Sequence, residues 1–575
     1  MAFMVRKKIK GNDYYYLNEN KRVDGKVKTK TLAYLGKIKE DAEKKMKEIL
    51  NKKTTEEKPK EGIKLELQKI SIEDMASFCK RKGFVYPSSE IYGGFSGFWD
   101  FGPLGSELFN NLKQEWRKFF IQERKDMVEI ETSIISHPKT WEASGHVTSF
   151  GDLILECEKC GNNLRADHFI EDSLKINADG IKPEEINKLI QKHNLRCPKC
   201  KSNFKELRDF NLLFKTSVGA RENSASTSYL RGETAQGMFM NFKNIVDSSR
   251  VKLPFGIAQI GRCFRNEIAP RDFLFRSREF NIGEFEFFIH PKEKKCKILG
   301  EDHLNLSFKI LDSETQDTRK NNLKKVLIKD LLKKNKLEEW HAYWLAEQIL
   351  FFKRIGLNLE NIKIREHVKT ELSHYSSATF DIDYEFPFGS KEIAGNANRG
   401  QYDLNQHIKF SKSKLEIFDE ESKKNVIPKV IEPTFGMERI FLALITDAYH
   451  FDSKRDNIVL KLDPKLSPIK AAIFPIVKKP EFEKIAEEIF DDLKKEWKIL
   501  YDNSGSIGRR YARNDEVGTP FCITIDEDSI KKKDITIRNR DTTNQIRVKV
   551  SELKNTLKKL INNEINFEDA GKKIN

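Results

Sequence analysis

Residues Phe264–Phe288, FRNEIAPRDFLFRSREFNIGEFEFF, bring arginines, carboxylates and aromatic rings together in 25 positions. The preceding GIAQIGRC is apolar, carries β-branched residues and has no helical stripe, so it reads as a strand. Pro270 and Asp272 predict a turn over Ile268–Phe275. A second strand is predicted from Arg276 to Phe288, with Arg276, Arg278, Phe280, Ile282, Glu284 and Glu286 on one face by period-two alternation. Arg265 and Glu267 share a face of the first strand. The pattern is an antiparallel hairpin with guanidinium groups near its turn and carboxylates further down. Either sign is costly to bury unless paired or liganded, so such a face suits a ligand with separated charges. A hairpin whose charges simply face solvent is the alternative.

A second constellation is Cys157-Glu-Lys-Cys160 with Cys197-Pro-Lys-Cys200. Each CxxC knuckle offers two thiolates, and four of them close the tetrahedral sphere of a structural zinc ion. The 36 residues between the pairs exceed a compact zinc ribbon, and four ordinary reduced thiols are the alternative. Eight cysteines so arranged fit a metal site in a reducing, cytoplasmic compartment better than a disulfide framework.

The elements that must position these groups exceed one core: 575 residues predict three or more domains. No apolar run approaches the roughly 18 residues of a spanning helix, and MAFMVRKKIK lacks the apolar centre of a secretory signal. A net charge of +16 favours a polyanionic partner. Residues 1–60, with 18 Lys and Arg against 9 Asp and Glu, supply +9 of it. There DYYYL and KVKTKTLAYLG read as strands around an Asp24-Gly25 turn, and EDAEKKMKEILNKK reads as a helix with Ala42, Met46, Ile49 and Leu50 as its stripe. This ββα module is either an accessory RNA contact or a solvated tail. Further on, Pro103 starts a helix with Leu104, Leu108, Leu112, Trp116 and Phe119 at helical spacing, a stripe that needs a partner surface. Residues 289–365 read as a lysine-rich helical insertion, whose cationic side is either solvated or set against an RNA backbone. HYSSATFDIDYEFPFG has the texture of central strands, and VIPKVIEP is a strand predicted to end at Glu432-Pro433, ahead of a helix from Gly436. From Ser467 strands and helices alternate, which predicts a mixed sheet flanked by helices.

The order FRNE-x7-FRSREF-x3-E resembles motif 2 of the class II aminoacyl-tRNA synthetases, in the version of their glycyl branch. The Pro103 helix resembles motif 1, which builds the dimer interface, and GMER resembles motif 3. LRADH, FNLLFKTSVG, YLRGETAQG, KEIAG with NANRGQYDL, and EPTFG resemble glycyl signatures, although Gly232 stands where the family usually has proline. The resemblance covers about residues 68–565 and implies an α+β fold. That fold has an antiparallel-sheet catalytic domain over 61–466, with the four-cysteine insertion at about 150–210, and an α/β anticodon-binding domain over 467–575. It also implies a homodimer that activates glycine with ATP and loads tRNA(Gly), with neither DNA nor membrane as partner.

The roles implied follow the matching positions. Arg265, Glu267, Arg276 and Arg439 would be catalytic, Arg265 at the α-phosphate and Arg276 and Arg439 at the outer phosphates. The ATP site would add Asn266, Phe275, Ser277, Arg278, Glu279, Phe280, Glu392, Ile393 and Gly436. Glycine would meet Arg165, Glu233, Phe280, Glu284, Arg399, Glu432 and Thr434. Glu392 and Glu432 would hold Mg²⁺, and Arg509, Arg510, Arg513, Arg538 and Arg540 would meet tRNA.

Overall fold

The computed structural model describes residues 2–9, 12–23, 26–36 and 70–574, apart from 177, 179–180, 221–226, 318–322, 370–371 and 373–375. The chain divides into two compact units, Met1–Lys69 and Ile70–Asn575. In the first, Ala2–Ile9, Asn12–Val23 and Lys26–Gly36 form a three-stranded antiparallel meander, one strand more than the sequence predicts. The predicted Asp24-Gly25 turn and the helix after residue 40 lie outside the described residues.

The second unit is built on a nine-stranded sheet. Its strands in chain order are β1 (Met127–Glu129), β2 (Phe255–Phe264), β3 (Glu279–Ile289), β4 (Ser307–Leu311) and β5 (Lys324–Leu327). They continue with β6 (Ile362–Glu366), β7 (Ala378–Phe386), β8 (Gly389–Gly400) and β9 (Lys429–Gly436). The order across the sheet is β5-β4-β6-β7-β8-β9-β3-β2-β1, antiparallel except for β2 beside β1 and β4 beside β6. Alternation along β3 divides the two faces. Phe285 and Phe287 pack under helix α2 (Glu339–Arg354), with ring centroids 4.6 and 4.8 Å from Trp344. Glu284 and Glu286 point the other way. Helix α1 (Pro103–Arg117) lays Trp116 against Phe285 and Phe435 on the same side as α2. Helix α3 (Met437–Ala448) follows β9 directly, with Gly436 at its N-cap.

Three expectations are corrected here. Residues 289–365 are not a mainly helical insertion: β4, β5 and β6 extend the main sheet, and most of α2 is buried. Its apolar residues run all round the helix rather than along one stripe, which is the pattern of a core helix. The α1 stripe likewise finds its partner within the chain, since Leu108, Leu112 and Trp116 sit in the main core. Strand β9 does not stop at Glu432-Pro433; Pro433 stands opposite Asn396, and pairing runs on through Phe435.

Glycine is required where α1 crosses the chain before it. A Cβ on Gly105 would lie 1.8 Å from the Phe84 carbonyl oxygen. The C-terminal part is a six-stranded mixed sheet, ordered Ile499–Tyr501, Ala471–Pro475, Phe521–Ile525, Asp534–Asn539, Gln545–Lys549, Lys572–Ile574, with its own apolar core. Because Trp344 is fully buried on Phe285 and Phe287, Trp344→Ala is expected to cost about 3–5 kcal/mol in chemical unfolding.

Candidate active site

The β2–β3 turn does not continue either strand. Strand β2 stops at Phe264, Phe273–Phe275 form a turn of 3₁₀ helix, and β3 starts at Glu279. Arg265, Glu267, Arg276 and Arg278 therefore lie on irregular backbone rather than alternating along strands, and each is aimed by its own contacts. Arg265 donates to the Gly232 carbonyl at 3.1 Å and lies between the rings of Phe150 and Phe280. Gly232, the departure from the resembled pattern, thus anchors this arginine through its backbone. Arg276 donates through Nε to Glu267 Oε2 at 2.8 Å. Arg439 binds the Glu392 carboxylate at 2.9 Å and lies 4.5 Å from the Phe275 ring centroid. These three arginines line one solvent-open cavity with about 610 Å³ of free space, together with Phe275, Ser277, Phe280, Ile282, Glu392, Thr434 and Gly436. Burial raises the energy of the Arg276 cation, Arg165 and Arg439 add like charge, and Glu267 and Asp152 offset part of it. A wall of guanidiniums held this way is prepared for a polyanion.

Behind Thr434 in this lining lies a buried group of the opposite sign. Register puts Glu284 of β3 directly across from Thr434 of β9, and Thr434 Oγ1 donates to Glu284 at 2.9 Å. Glu284 also accepts from the backbone N–H and the hydroxyl of Thr234, at 3.1 and 2.5 Å. Glu284, Glu286 and Glu432 are all buried, with oxygens within 4.8 Å of one another. Arg399, 2% exposed, makes two hydrogen bonds to Asp403 and one of 2.6 Å to Glu432. Burial alone would push the Glu233 carboxyl up, but the facing His146, Arg399 and Gln236 outweigh it and hold it well below the usual range. Glu286 has no hydrogen-bond partner for either oxygen; burial and the Glu432 charge drive its carboxyl well above the usual range. Glu432 is also raised, by burial and by Glu284, against the pull of Arg399. Carboxylates so crowded around one arginine leave room for a small cation.

Two metal readings separate here. Cys157 Sγ lies 3.3 Å from Cys200 Sγ, and Cys160 Sγ 3.7 Å from Cys197 Sγ, close to the roughly 3.8 Å of a tetrahedral site with ~2.3 Å Zn–S bonds. The knuckles share one backbone form. Gly161 N–H donates to the Cys157 carbonyl and Lys201 N–H to that of Cys197, with Gly161 and Lys201 both in the left-handed region. The four thiols therefore fit zinc. Glu392 lines the cavity with the arginines, while Glu432 belongs to the buried carboxylates beside Thr434.

Other expected residues lie elsewhere. Arg165 is not in the cavity; it pairs with Asp152 and Asp167. Arg278 binds the Glu267 and Ser96 carbonyls, tying the turn to the glycine-rich loop, where Gly97 leaves space for Pro270. Glu279 pairs with Arg262, Ile393 is in the apolar core, and the Asn266 N–H donates to the Leu212 carbonyl. Of the arginines expected at RNA, Arg510, Arg538 and Arg540 are buried. They bind backbone carbonyls (Arg510), Asp515 (Arg538), and Asp541, Gly518 and Leu462 (Arg540). Arg509 and Arg513 are exposed, Arg513 against Ser504 and Asp502. Sequence reasoning missed Thr234, His146, Asp403 and the partnerless Glu286. Two of them neighbour assigned residues in ETAQG and NRGQYDL, but His146 comes from a helix of four residues with no pattern of its own.

Comparison with known proteins agrees with this geometry. The anticodon binding domain family matches residues 470–560, and the N-terminal domain of IS1634 family transposases matches residues 4–62. The glycine–tRNA ligase of Caldanaerobacter subterraneus subsp. tengcongensis is 43% identical over 493 residues, covering 84% of this chain and 97% of that protein. Those of Bacillus anthracis and Borreliella burgdorferi are 42% and 41% identical, covering 85% of this chain and 99% and 97% of their own lengths. In fold, the chain is similar to a crystal structure of prolyl-tRNA synthetase from Cryptosporidium parvum complexed with halofuginone and AMPPNP. The TM-score is 0.52 at 14% identity, over 86% of this chain and 77% of that one. With so much of each relative's length matched at more than two identical residues in five, the chain belongs to the glycine–tRNA ligase family, class II synthetases that activate glycine with ATP and attach it to tRNA(Gly).

Proposed function

We propose that the cavity aligns glycine and ATP on opposite charges, Arg265, Arg276 and Arg439 taking the phosphates and Glu284, with Glu233 and Glu432, taking the ammonium. The observation that carries this reading is the arginine-lined cavity that reaches Thr434, whose hydroxyl donates to the buried Glu284 behind it. The glycine carboxylate attacks the α-phosphorus in line, the P–O bond to the leaving pyrophosphate breaks, and glycyl-adenylate forms. No general base is needed, because the attacking carboxylate is already ionised; alignment and charge stabilisation supply the catalysis. Arg265 faces the α-phosphate, and Arg276 and Arg439 take the charge that builds on pyrophosphate. Glu392 is the carboxylate suited to Mg²⁺, which when bound would neutralise phosphate charge. Glu286, with no donor of its own, is read as neutral, so it adds no further anion to the buried carboxylates. The Thr434 methyl fills space beside Glu284, so larger side chains are excluded by overlap.

Outside the cavity, the four cysteines hold a structural zinc ion with no open position. Arg509 and Arg513 reach tRNA from the anticodon-binding domain. A second copy of the chain covers Ile91, Tyr92 and Phe95, which are 86%, 86% and 59% exposed, ahead of α1.

Amino-acid-dependent ATP–pyrophosphate exchange tests the reading: glycine supports exchange, whereas alanine, serine, proline and threonine do not. Glu284→Gln is expected to lower kcat/KM for glycine roughly 10- to 100-fold, the range for losing a charged hydrogen bond. Exchange at the parent rate removes Glu284 from the ammonium site. Cys197→Ser is expected to abolish stoichiometric zinc by metal analysis and to lower the thermal midpoint. An Arg509→Ala, Arg513→Ala double variant is expected to raise KM for tRNA while leaving tRNA-independent exchange unchanged.

A further inference from the structure

The contact that ties the metal-knuckle region to the phosphate wall is made by His168. Strands Gly151–Glu156 and Asn163–Arg165 form a hairpin whose turn is the first CxxC knuckle. The second strand runs straight into the helix Ala166–Leu174. At this junction Arg165 spans Asp152 and Asp167, and Asp167 accepts the His168 backbone N–H at 2.7 Å. The His168 backbone is thereby fixed, and its ring lies 3.2 Å (Nε2) and 3.4 Å (Nδ1) from Arg276 Nη1. Glu267 holds Arg276 Nε. Near-equal distances to both ring nitrogens put Nη1 over the face of the imidazole, so the guanidinium is held by a carboxylate at Nε and capped by a ring at Nη1.

We infer that His168 is a positioning residue for Arg276, a ring stacked on Nη1 that fixes the guanidinium plane for the outer phosphates of ATP without spending its charge. This rests on the reading of Arg276 as a phosphate ligand. Burial and the surrounding Arg165, Arg276 and Arg271 hold the imidazole down at about 3, with Asp167 pulling the other way, so the ring adds no like charge to the wall. A second carboxylate here would compete with phosphate for the cation, whereas a ring face orients it only. The helix that carries His168 continues the strand that leaves the Cys157–Cys160 turn, so the knuckle and the phosphate wall are joined through one segment.

The test is exchange kinetics of the full chain with ATP and glycine varied separately. His168→Ala is expected to raise KM for ATP roughly 3- to 10-fold with KM for glycine unchanged, the size of one lost cation–ring contact. His168→Gln, which removes the ring, is expected to do the same, and His168→Phe, which keeps a ring face, to recover most of the loss. Should the alanine variant fold poorly, the Gln and Phe variants carry the test. An ATP KM within about two-fold of the parent in His168→Gln, or an equal rise in glycine KM, overturns the inference. Arg276→Ala is the control. If it leaves ATP kinetics untouched, the phosphate reading itself fails; if it weakens ATP while His168→Gln does not, only the role of His168 fails.

Discussion

Five carboxylates share one buried neighbourhood, and the Arg399 side chain is the cation that makes this tolerable. Glu233, Glu284, Glu286, Asp403 and Glu432 are all less than a tenth exposed, as is Arg399. Isolated buried charges cost several kcal/mol each even after relaxation, so this arrangement constrains everything around it. Arg399 leaves the end of β8, grips Asp403 of the following helix with two hydrogen bonds, and reaches Glu432 of β9 with a third. Two strands and a helix are therefore locked by a single guanidinium, whose planar fork suits that geometry. What remains is a group of carboxylates whose positions these bonds fix.

The arginines and the buried carboxylates are held differently for a physical reason. Glu284 and Thr434 sit on paired central strands, where backbone hydrogen bonding fixes both positions. Arg265 and Arg276 sit on irregular backbone and Arg439 in the first turn of α3, and their long side chains are aimed by aromatic rings and single carboxylates: Phe150 and Phe280 at Arg265, Glu267 at Arg276, Phe275 and Glu392 at Arg439. Strand pairing thus fixes the carboxylates through the backbone, whereas the arginines are fixed through side-chain contacts, and donors placed in advance meet charge without solvent having to reorganise.

The chemistry was readable where it depended on residue type at fixed spacing. Both CxxC pairs converge, and Arg265 and Arg276 line one cavity, because knuckle and hairpin geometry follow from local pattern. What failed was inference about exposure. Arg510, Arg538 and Arg540 have the composition of an RNA face, yet all three are buried and bonded to carbonyls or carboxylates. Arginine is polar enough to look external and long enough to bridge internal carbonyls, and nothing local distinguishes the two. The same ambiguity made residues 289–365 look peripheral. Their lysines dominate the composition, while the strands and the all-round apolar helix Glu339–Arg354 complete the main sheet.

That misreading bears on where the polyanion attraction resides. Residues 1–60 carry +9 of the +16 net charge, leaving +7 for the other 515 residues. In the C-terminal sheet three of the five candidate arginines are spent on internal bonds. Attraction to a polyanion is set by cations free to release counterions, not by those already neutralised. More than half of the net positive charge therefore lies in the first sixty residues, while Arg509 and Arg513 stay exposed in the C-terminal part. Attraction that scales with charge density weakens with salt, whereas recognition depends on the placement of individual donors.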